Sequence, residues 1–290
     1  MVTEQETGNR AGSAQVRLLG PDDRDQFLAL TARNPVVNVF ADYRARITNL
    51  EPRWLGGEVW GRFEGSTLVA GCHMGANLVP VECTGDDMAA FADRALTRVR
   101  STATIVGPHE PVAAFWEVVG DRWGTPREAR WRQPHLQIDD DPAVRPDPHV
   151  RLTTRDDLPA LYPACVAMYT EEVGVSPEAG GGKDYYRTRV QQLISRGWSF
   201  ARFDDHGRVV FKAEVACATP YAAQVQGVYV DPERRGEGLA VGGMAAVVQM
   251  VRQRIAPAVS LYVNEWNSPA RAAYARVGFT ESARFSTLMF

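Results

Sequence analysis

The strongest constraint on this chain is that it repeats itself. VRLLGPDDRDQFLAL, starting at Val16, and VRLTTRDDLPALYPA, starting at Val150, share the same V-R-L, the same D-D and the same switch from strand to helix. The first copy reads as a strand over 16–20, then a helix from Pro21 to Leu30, with Pro early and acids in the first turn. A second echo lies further on, between Val59–Ala70 and Ser199–Val210. Each is an alternating strand, a turn carrying an acid and Gly, and a second strand, which predicts a hairpin. The echoes are offset by 134 and 140 residues, so each half carries one copy of the same unit. A chain of 290 residues has room for two ordinary domains. Asp139–Pro148 opens on three acids and carries three prolines, which can continue neither a helix nor a central strand. The expected organisation is therefore a disordered leader over 1–14, a first domain over 15–141, a linker over 142–149 and a second domain over 150–290.

Periodicity predicts the elements within each half. In the first, strands near 58–63 and 67–74 precede a helix around 86–99, a strand over 102–106 and a helix over 111–119. In the second, a helix near 158–172 leads into the Gly-rich loop Val173–Gly182 and a helix over 184–195. A hairpin follows at 199–203 and 208–216, and later a strand over 260–263 and a short helix over 269–277. Strands interleaved with helices in this way predict an α/β fold with a mixed, mostly antiparallel sheet flanked by helices.

Between hairpin and last strand lies VQGVYVDPERRGEGLA, Val225–Ala240. An apolar strand runs into Asp231-Pro232, a turn holding Gly236 and Gly238, then an amphipathic run from Leu239 to about Ile255. Small side chains let the backbone approach an anion, and the first N–H groups of a helix have no partner within it. The helix dipole adds partial positive charge, and Arg234 and Arg235 add full charges. The corresponding stretch of the first half, Leu78–Asp87, carries acids where an anion would sit, so that half is expected to have the fold without the ligand. Two ligand classes are excluded. A dinucleotide turn needs a third glycine and an acid about 20 residues on, whereas Val241 follows Gly238-Leu-Ala and no acid lies in Ala256–Tyr262. An NTPase loop needs a lysine after the glycines, and none follows. A Gly-rich helix start with no ligand remains the alternative.

Arg235-Gly-Glu-Gly238-Leu-Ala240, after the strand end Val228-Tyr-Val230-Asp-Pro232, resembles the acyl-CoA turn of the GNAT superfamily of N-acyltransferases. Leu261–Phe279 is similar to that family's last strand, Asn-initiated helix, helical Tyr and closing Gly-Phe. A tandem with one degenerate half resembles mycothiol-synthase-type double-GNAT proteins. The resemblance implies two tandem GNAT-like domains, the second catalytic, and acetyl-CoA as acyl donor with no metal. It implies that the pyrophosphate sits on the amides of Arg235, Gly236, Glu237, Gly238, Leu239 and Ala240, with Arg234 or Arg235 adding a side chain. It implies that Val228, Tyr229 and Val230 pair with the pantetheine amides, and that Asn267 touches the cofactor. Asn267 also reads as a simple N-cap before Ser268 and Pro269.

Ala270, Tyr274 and Val277 share one helical face, which turns the Tyr274 ring inward. A phenol can protonate a departing thiolate; a core tyrosine is the plainer reading. The strand before the turn carries Gln224 and Gln226 and no acid, a departure from many GNAT members that leaves the base unassigned. Glu214 on the preceding strand is the first choice. Glu171 and Glu172 are the second, or hold a cationic acceptor; the default reading of all three is a solvated or paired surface acid. Cys217 reads as packing.

Net charge of −3 argues against nucleic-acid or anionic-membrane partners. No apolar run approaches the roughly 20 residues of a membrane span, and the polar N-terminus lacks a signal-peptide core, so a cytoplasmic protein is expected. The four cysteines and five histidines show no metal-ligand spacing. The function expected is transfer of an acetyl group to a primary amine by direct attack. The acceptor is a small molecule or a protein lysine or N-terminus; a non-catalytic acyl-CoA sensor is the alternative of another class.

Overall fold

The computed structural model describes residues 15–290; the leader expected over 1–14 lies outside them. The first half contains β1 (Gln15–Leu18), α1 (Arg24–Thr31), α2 (Val39–Thr48), α3 (Pro52–Leu55), β2 (Gly57–Glu64), β3 (Thr67–Gly75), β4 (Asn77–Val81), α4 (Gly85–Leu96), β5 (Thr104–Pro108), α5 (His109–Trp123) and β6 (Glu128–Ile138). The second contains β7 (Arg151–Leu152), α6 (Leu158–Val173), α7 (Lys183–Ser195), β8 (Ser199–Phe203), β9 (Val209–Ala218), β10 (Ala222–Val230), α8 (Leu239–Arg254), β11 (Ala258–Tyr262), α9 (Ser268–Val277) and β12 (Thr280–Met289).

These elements form two compact units. Unit 1 holds residues up to Asn34, Arg44–Trp131 and Ser286–Phe290; unit 2 holds Pro35–Tyr43 and Arg132–Phe285. The linker expected over 142–149 thus falls inside unit 2. It is irregular in backbone, as its prolines dictate, yet pinned: Ala143 N donates to Val277 O at 2.8 Å and Asp147 N to Gly242 O at 3.0 Å. Arg202 reaches the Asp147 carboxylate at 2.6 Å. Strand pairing moves the division earlier, because β6 residues from His135 to Ile138 pair antiparallel with β11.

In unit 1 the strand order is β1-β2-β3-β4-β5, and only β4 and β5 are parallel among the pairs described there. Its core joins Trp60, Leu78, Met88, Phe91, Ile105 and Phe115. In unit 2 the order is β6-β11-β10-β9-β8-β7, and β10–β11 is the parallel pair. The inner face of α8 (Met244, Val247, Val248 and Val251) packs on Val215, Val225, Val259 and Leu261. Gly243 lets α8 settle on the sheet, since a Cβ there would stand 2.7 Å from the Phe211 ring. Both units therefore have the mixed, mostly antiparallel α/β architecture expected.

The sequence echoes have a common physical basis. Arg17 grips Asp23 through two hydrogen bonds of 2.8 and 2.6 Å, and Asp23 also accepts from Gly20 N. Arg151 grips Asp157 at 2.7 and 2.8 Å, and Asp157 accepts from Thr154 N. Each arginine also lies over the phenylalanine of its own unit's hairpin: Arg17 is 4.2 Å from the Phe63 centroid, Arg151 4.7 Å from that of Phe203. The two echoes are therefore in contact within each copy, which explains why they recur together.

Candidate active site

The site in unit 2 begins with a break in strand pairing. β10 pairs with β11 from Ala222 to Gln224, against Ala258 to Ser260, and that described pairing goes no further. Across β10, Gln226 faces Glu214 and Tyr229 faces Lys212, so the strand carries one extra residue at Gly227–Val228. Gly227 adopts φ +61, and a Cβ there would lie 3.0 to 3.1 Å from Met168 Cε, Glu214 Cδ and Lys212 Nζ. Only glycine meets both demands. Beyond the bulge Val228, Tyr229 and Val230 are partly exposed, with one strand edge bonded to β9 and the other turned to where β11 has parted.

Asp231 caps a short helical turn over Pro232–Arg234, its carboxylate accepting from Glu233 N at 3.0 Å. The chain then reverses through Gly236 at φ +87 and Gly238 at φ +80, and Gly238 stands at the N-cap of α8 with no side-chain cap. A Cβ at either glycine would meet nothing within 4 Å, so the turn opens onto free space. Among the described residues, no N–H from Arg235 to Ala240 donates a hydrogen bond to a protein group. Those of Gly238, Leu239 and Ala240 are donors left over at the start of a 16-residue helix, and those of Arg235, Gly236 and Glu237 belong to the turn that leads into it. Arg234 is held by Glu237 at 2.7 Å and Arg235 by Glu171 at 2.7 Å. Both guanidiniums thus lie at the turn, each paired with a carboxylate.

Under the bulge lies a buried ion pair. Lys212 Nζ is 3.0 Å from Glu214 Oε2, Gln226 Nε2 donates to Glu214 Oε1 at 2.9 Å, and Arg189 stands 3.9 Å away. Burial pushes Glu214 up, but Lys212 and Arg189 outweigh it and hold the carboxyl below its usual range. Burial likewise lowers Lys212, and Glu214 overrides it to leave the ammonium raised. Tyr274 projects from α9 into the core, edge-on to Phe279 at 5.9 Å. Burial, with the Glu172 carboxylate second, raises its hydroxyl above the ordinary phenol value; it stays protonated.

Residues 193–279 match the model of the acetyltransferase (GNAT) family, and residues 57–161 match that of a domain of unknown function (DUF4081). The chain carries a GNAT acetyltransferase domain. The GNAT fold extends over both units. A GNAT-family acetyltransferase from Colwellia psychrerythraea superposes with a TM-score of 0.59 at 13% identity, over 95% of this chain and 99% of that one. A tandem GNAT protein from the clavulanic acid biosynthesis pathway, solved without AcCoA, gives 0.57 at 18% identity, over 96% and 98%. A Drosophila protein gives 0.63 at 15%, over 96% and 99%. At these identities the likeness is one of fold. No curated protein matches significantly.

Within the GNAT domain the structure brings the expected turn residues Arg234 to Ala240 together with the strand end Val228–Val230. Asn267 Oδ1 accepts from Ala270 N at 3.2 Å as the N-cap of α9, a role compatible with a contact to the cofactor. Glu171, expected near an acceptor, stands on α6 and pairs with Arg235 of the turn. Cys217 is buried packing. Sequence reasoning missed Lys212, which has no local signature because a lysine in a strand normally marks an exposed position.

Proposed function

We propose that unit 2 transfers an acetyl group from acetyl-CoA to a primary amine by direct attack. The observation that supports this most is the row of unbonded N–H groups from Arg235 to Ala240, beside an unpaired strand edge. The first suits a pyrophosphate, the second the amides of a pantetheine arm. Aminolysis forms a C–N bond and breaks the C–S bond; the nitrogen gives up a proton and the thiolate takes one. Tyr274, kept protonated by its burial, donates toward the departing sulfur. An alkylammonium costs about 4 kcal/mol to deprotonate at pH 7. Glu214 accepts that proton only by loosening its contact with Lys212, so its first role here is to brace the bulge. The absence of an acid from β10 also favours a second reading, an acyl-CoA sensor without turnover.

Release of CoA, followed with a thiol reagent across a panel of amines and peptides, separates the two. Turnover on an amine that falls about 10²- to 10⁴-fold in Tyr274→Phe, with acetyl-CoA affinity unchanged, is the expected result. Acetyl-CoA binding without turnover on any acceptor, peptides included, supports the sensor.

A further inference from the structure

Unit 1 holds a cavity of about 350 Å³ among its described residues. It lies where the start of β2, the end of β3, the last turns of α4 and α5 and the segment from Arg98 to Thr102 come together. That volume is near the lower end for small-molecule sites and too small for a coenzyme the size of CoA. Met74, Ala95 and Trp123 give it an apolar wall. Arg98, Val99 and Arg100 are exposed, so the cavity has a mouth open to solvent.

The charged residues lining it are Glu58, Arg98 and Arg100. Glu58 is engaged within the wall: its Oε2 accepts from Trp60 Nε1 at 2.8 Å and from Arg98 at 2.5 Å. Arg98 in turn lies over the Trp60 ring, 5.3 Å from its centroid. Arg100 differs. Its guanidinium donates to the Thr102 carbonyl at 2.9 Å and stands 4.3 Å from the Phe290 centroid, and no carboxylate pairs with it among the described residues. Trp123 packs edge-on against the same Phe290 ring at 6.2 Å, so the unpaired cation stands beside the apolar wall. Its two contacts hold it in place, which reduces the ordering that binding would cost. Two guanidiniums against one carboxylate leave the lining with one positive charge, and a single carboxylate balances it. An ammonium would meet Arg100 while Glu58 is already neutralised by Arg98. A phosphate monoester, at about −1.5 to −2, would bring more charge than the wall offsets. A bare carboxylate would leave the apolar wall uncovered.

We propose that this cavity of unit 1 binds a small carboxylic acid with an apolar body, its carboxylate on Arg100 and its body against Trp123 and Met74. The site is independent of acetyl transfer in unit 2. The test is an NMR titration of the full chain with four probes: 3-phenylpropionate, acetate, 3-phenylpropylamine and phenyl phosphate. 3-Phenylpropionate should bind saturably with a Kd of about 1 mM or tighter, and the other three about tenfold more weakly or worse. Arg100→Gln, at an exposed position, should keep the parent's melting temperature and weaken 3-phenylpropionate about tenfold or more. Arg100→Glu should make 3-phenylpropylamine the preferred probe. Saturating acetyl-CoA should leave the affinity for 3-phenylpropionate unchanged. Equal or tighter binding of acetate, the amine or the phosphate by the parent overturns the proposal. So does the lack of saturable binding of 3-phenylpropionate, or an affinity that Arg100→Gln does not alter. Displacement by acetyl-CoA overturns it as well, since the carboxylate would then be seated at the α8 turn.

Discussion

Two helix N-termini in this molecule occupy equivalent places in their units and meet opposite ends. At α8 the N-cap is Gly238, no side chain closes the turn, and the amides from Arg235 to Ala240 are left without protein acceptors. At α4 the N-cap is Thr84, and Asp87 turns back on it. The Asp87 carboxylate accepts from Thr84 N at 2.7 Å and from Thr84 Oγ1 at 2.8 Å, while Asp87 N donates to Thr84 Oγ1. Arg62 pairs with the same buried carboxylate. A helix start can satisfy its donors from within or leave them without protein acceptors; unit 1 does the first and unit 2 the second. What unit 1 lacks is therefore vacancy, rather than the helix or its dipole. The acids expected to repel an anion there do more than repel it, since one of them fills its place.

Breaking the closed end should have the largest effect. Asp87→Ala strands Arg62 beside a buried surface and removes the capping box, and is expected to cost about 3–5 kcal/mol of unit 1 stability, read by denaturant unfolding. It should create no acetyl-CoA binding, because Thr84–Asp87 holds a single glycine, Gly85, in place of the Gly236–Gly238 pair and keeps the acid Asp86 at the helix start.

Converting the open end into a closed one comes next. Gly238→Glu forces a side chain into φ +80 and an acid into the socket. Calorimetry should show acetyl-CoA affinity falling about 100-fold, roughly 2.7 kcal/mol by the standard conversion. A thermal shift by acetyl-CoA that survives this change would sink the phosphate-socket argument.

The feature common to both units should respond more mildly. Asp157→Asn halves the Arg151 grip and should cost no more than about 1 kcal/mol, because Arg151 is half exposed. Arg151, then Thr154, holds Asp157 down to about 2. A depressed carboxylate stabilises the fold above its unfolded value near 4 and loses that contribution as pH falls through 2. Acid titration of the parent should show this loss between about pH 4 and 2, and Asp157→Asn should flatten it.

The smallest effect is expected from Glu237→Gln, which releases Arg234 from its bidentate partner. Acetyl-CoA affinity should tighten slightly, more so at low salt, where an exposed guanidinium is least screened. An unchanged affinity at every salt concentration would mean that Arg234 does not face the ligand.

Much of each unit is legible from local pattern. The Gly-rich turn, the helix after it, the hairpins at Thr67 and Val209 and the Asn267 to Gly278 helix all lie where spacing and capping residues put them, within a residue or two. Less legible were α2, β6 and β12. β6 reads EARWRQPHLQI, as polar as a loop, although its Gln133 and His135 are buried and its last residues pair with β11. α2 has no clean amphipathic stripe, for its residues are shared between the two units. The boundary was misplaced for the same reason: proline marks where regular structure stops, whereas pairing decides to which core a strand belongs.

By itself, then, the sequence determined what acts over short range. The Arg–Asp grips span six residues, the Gly236–Gly238 turn and its helix start are contiguous, and the Asn267 cap closes within four residues. Such contacts form wherever the chain goes, because their partners cannot be far apart. Only the tertiary structure decided that Lys212 would sit beneath the bulge of β10, that Arg62 would reach Asp87, and that His135 and Ser260 would be left with one unmet bond each. These groups lie on different strands or helices, and sheet register, which slips an entire face with every residue, is what brings them together.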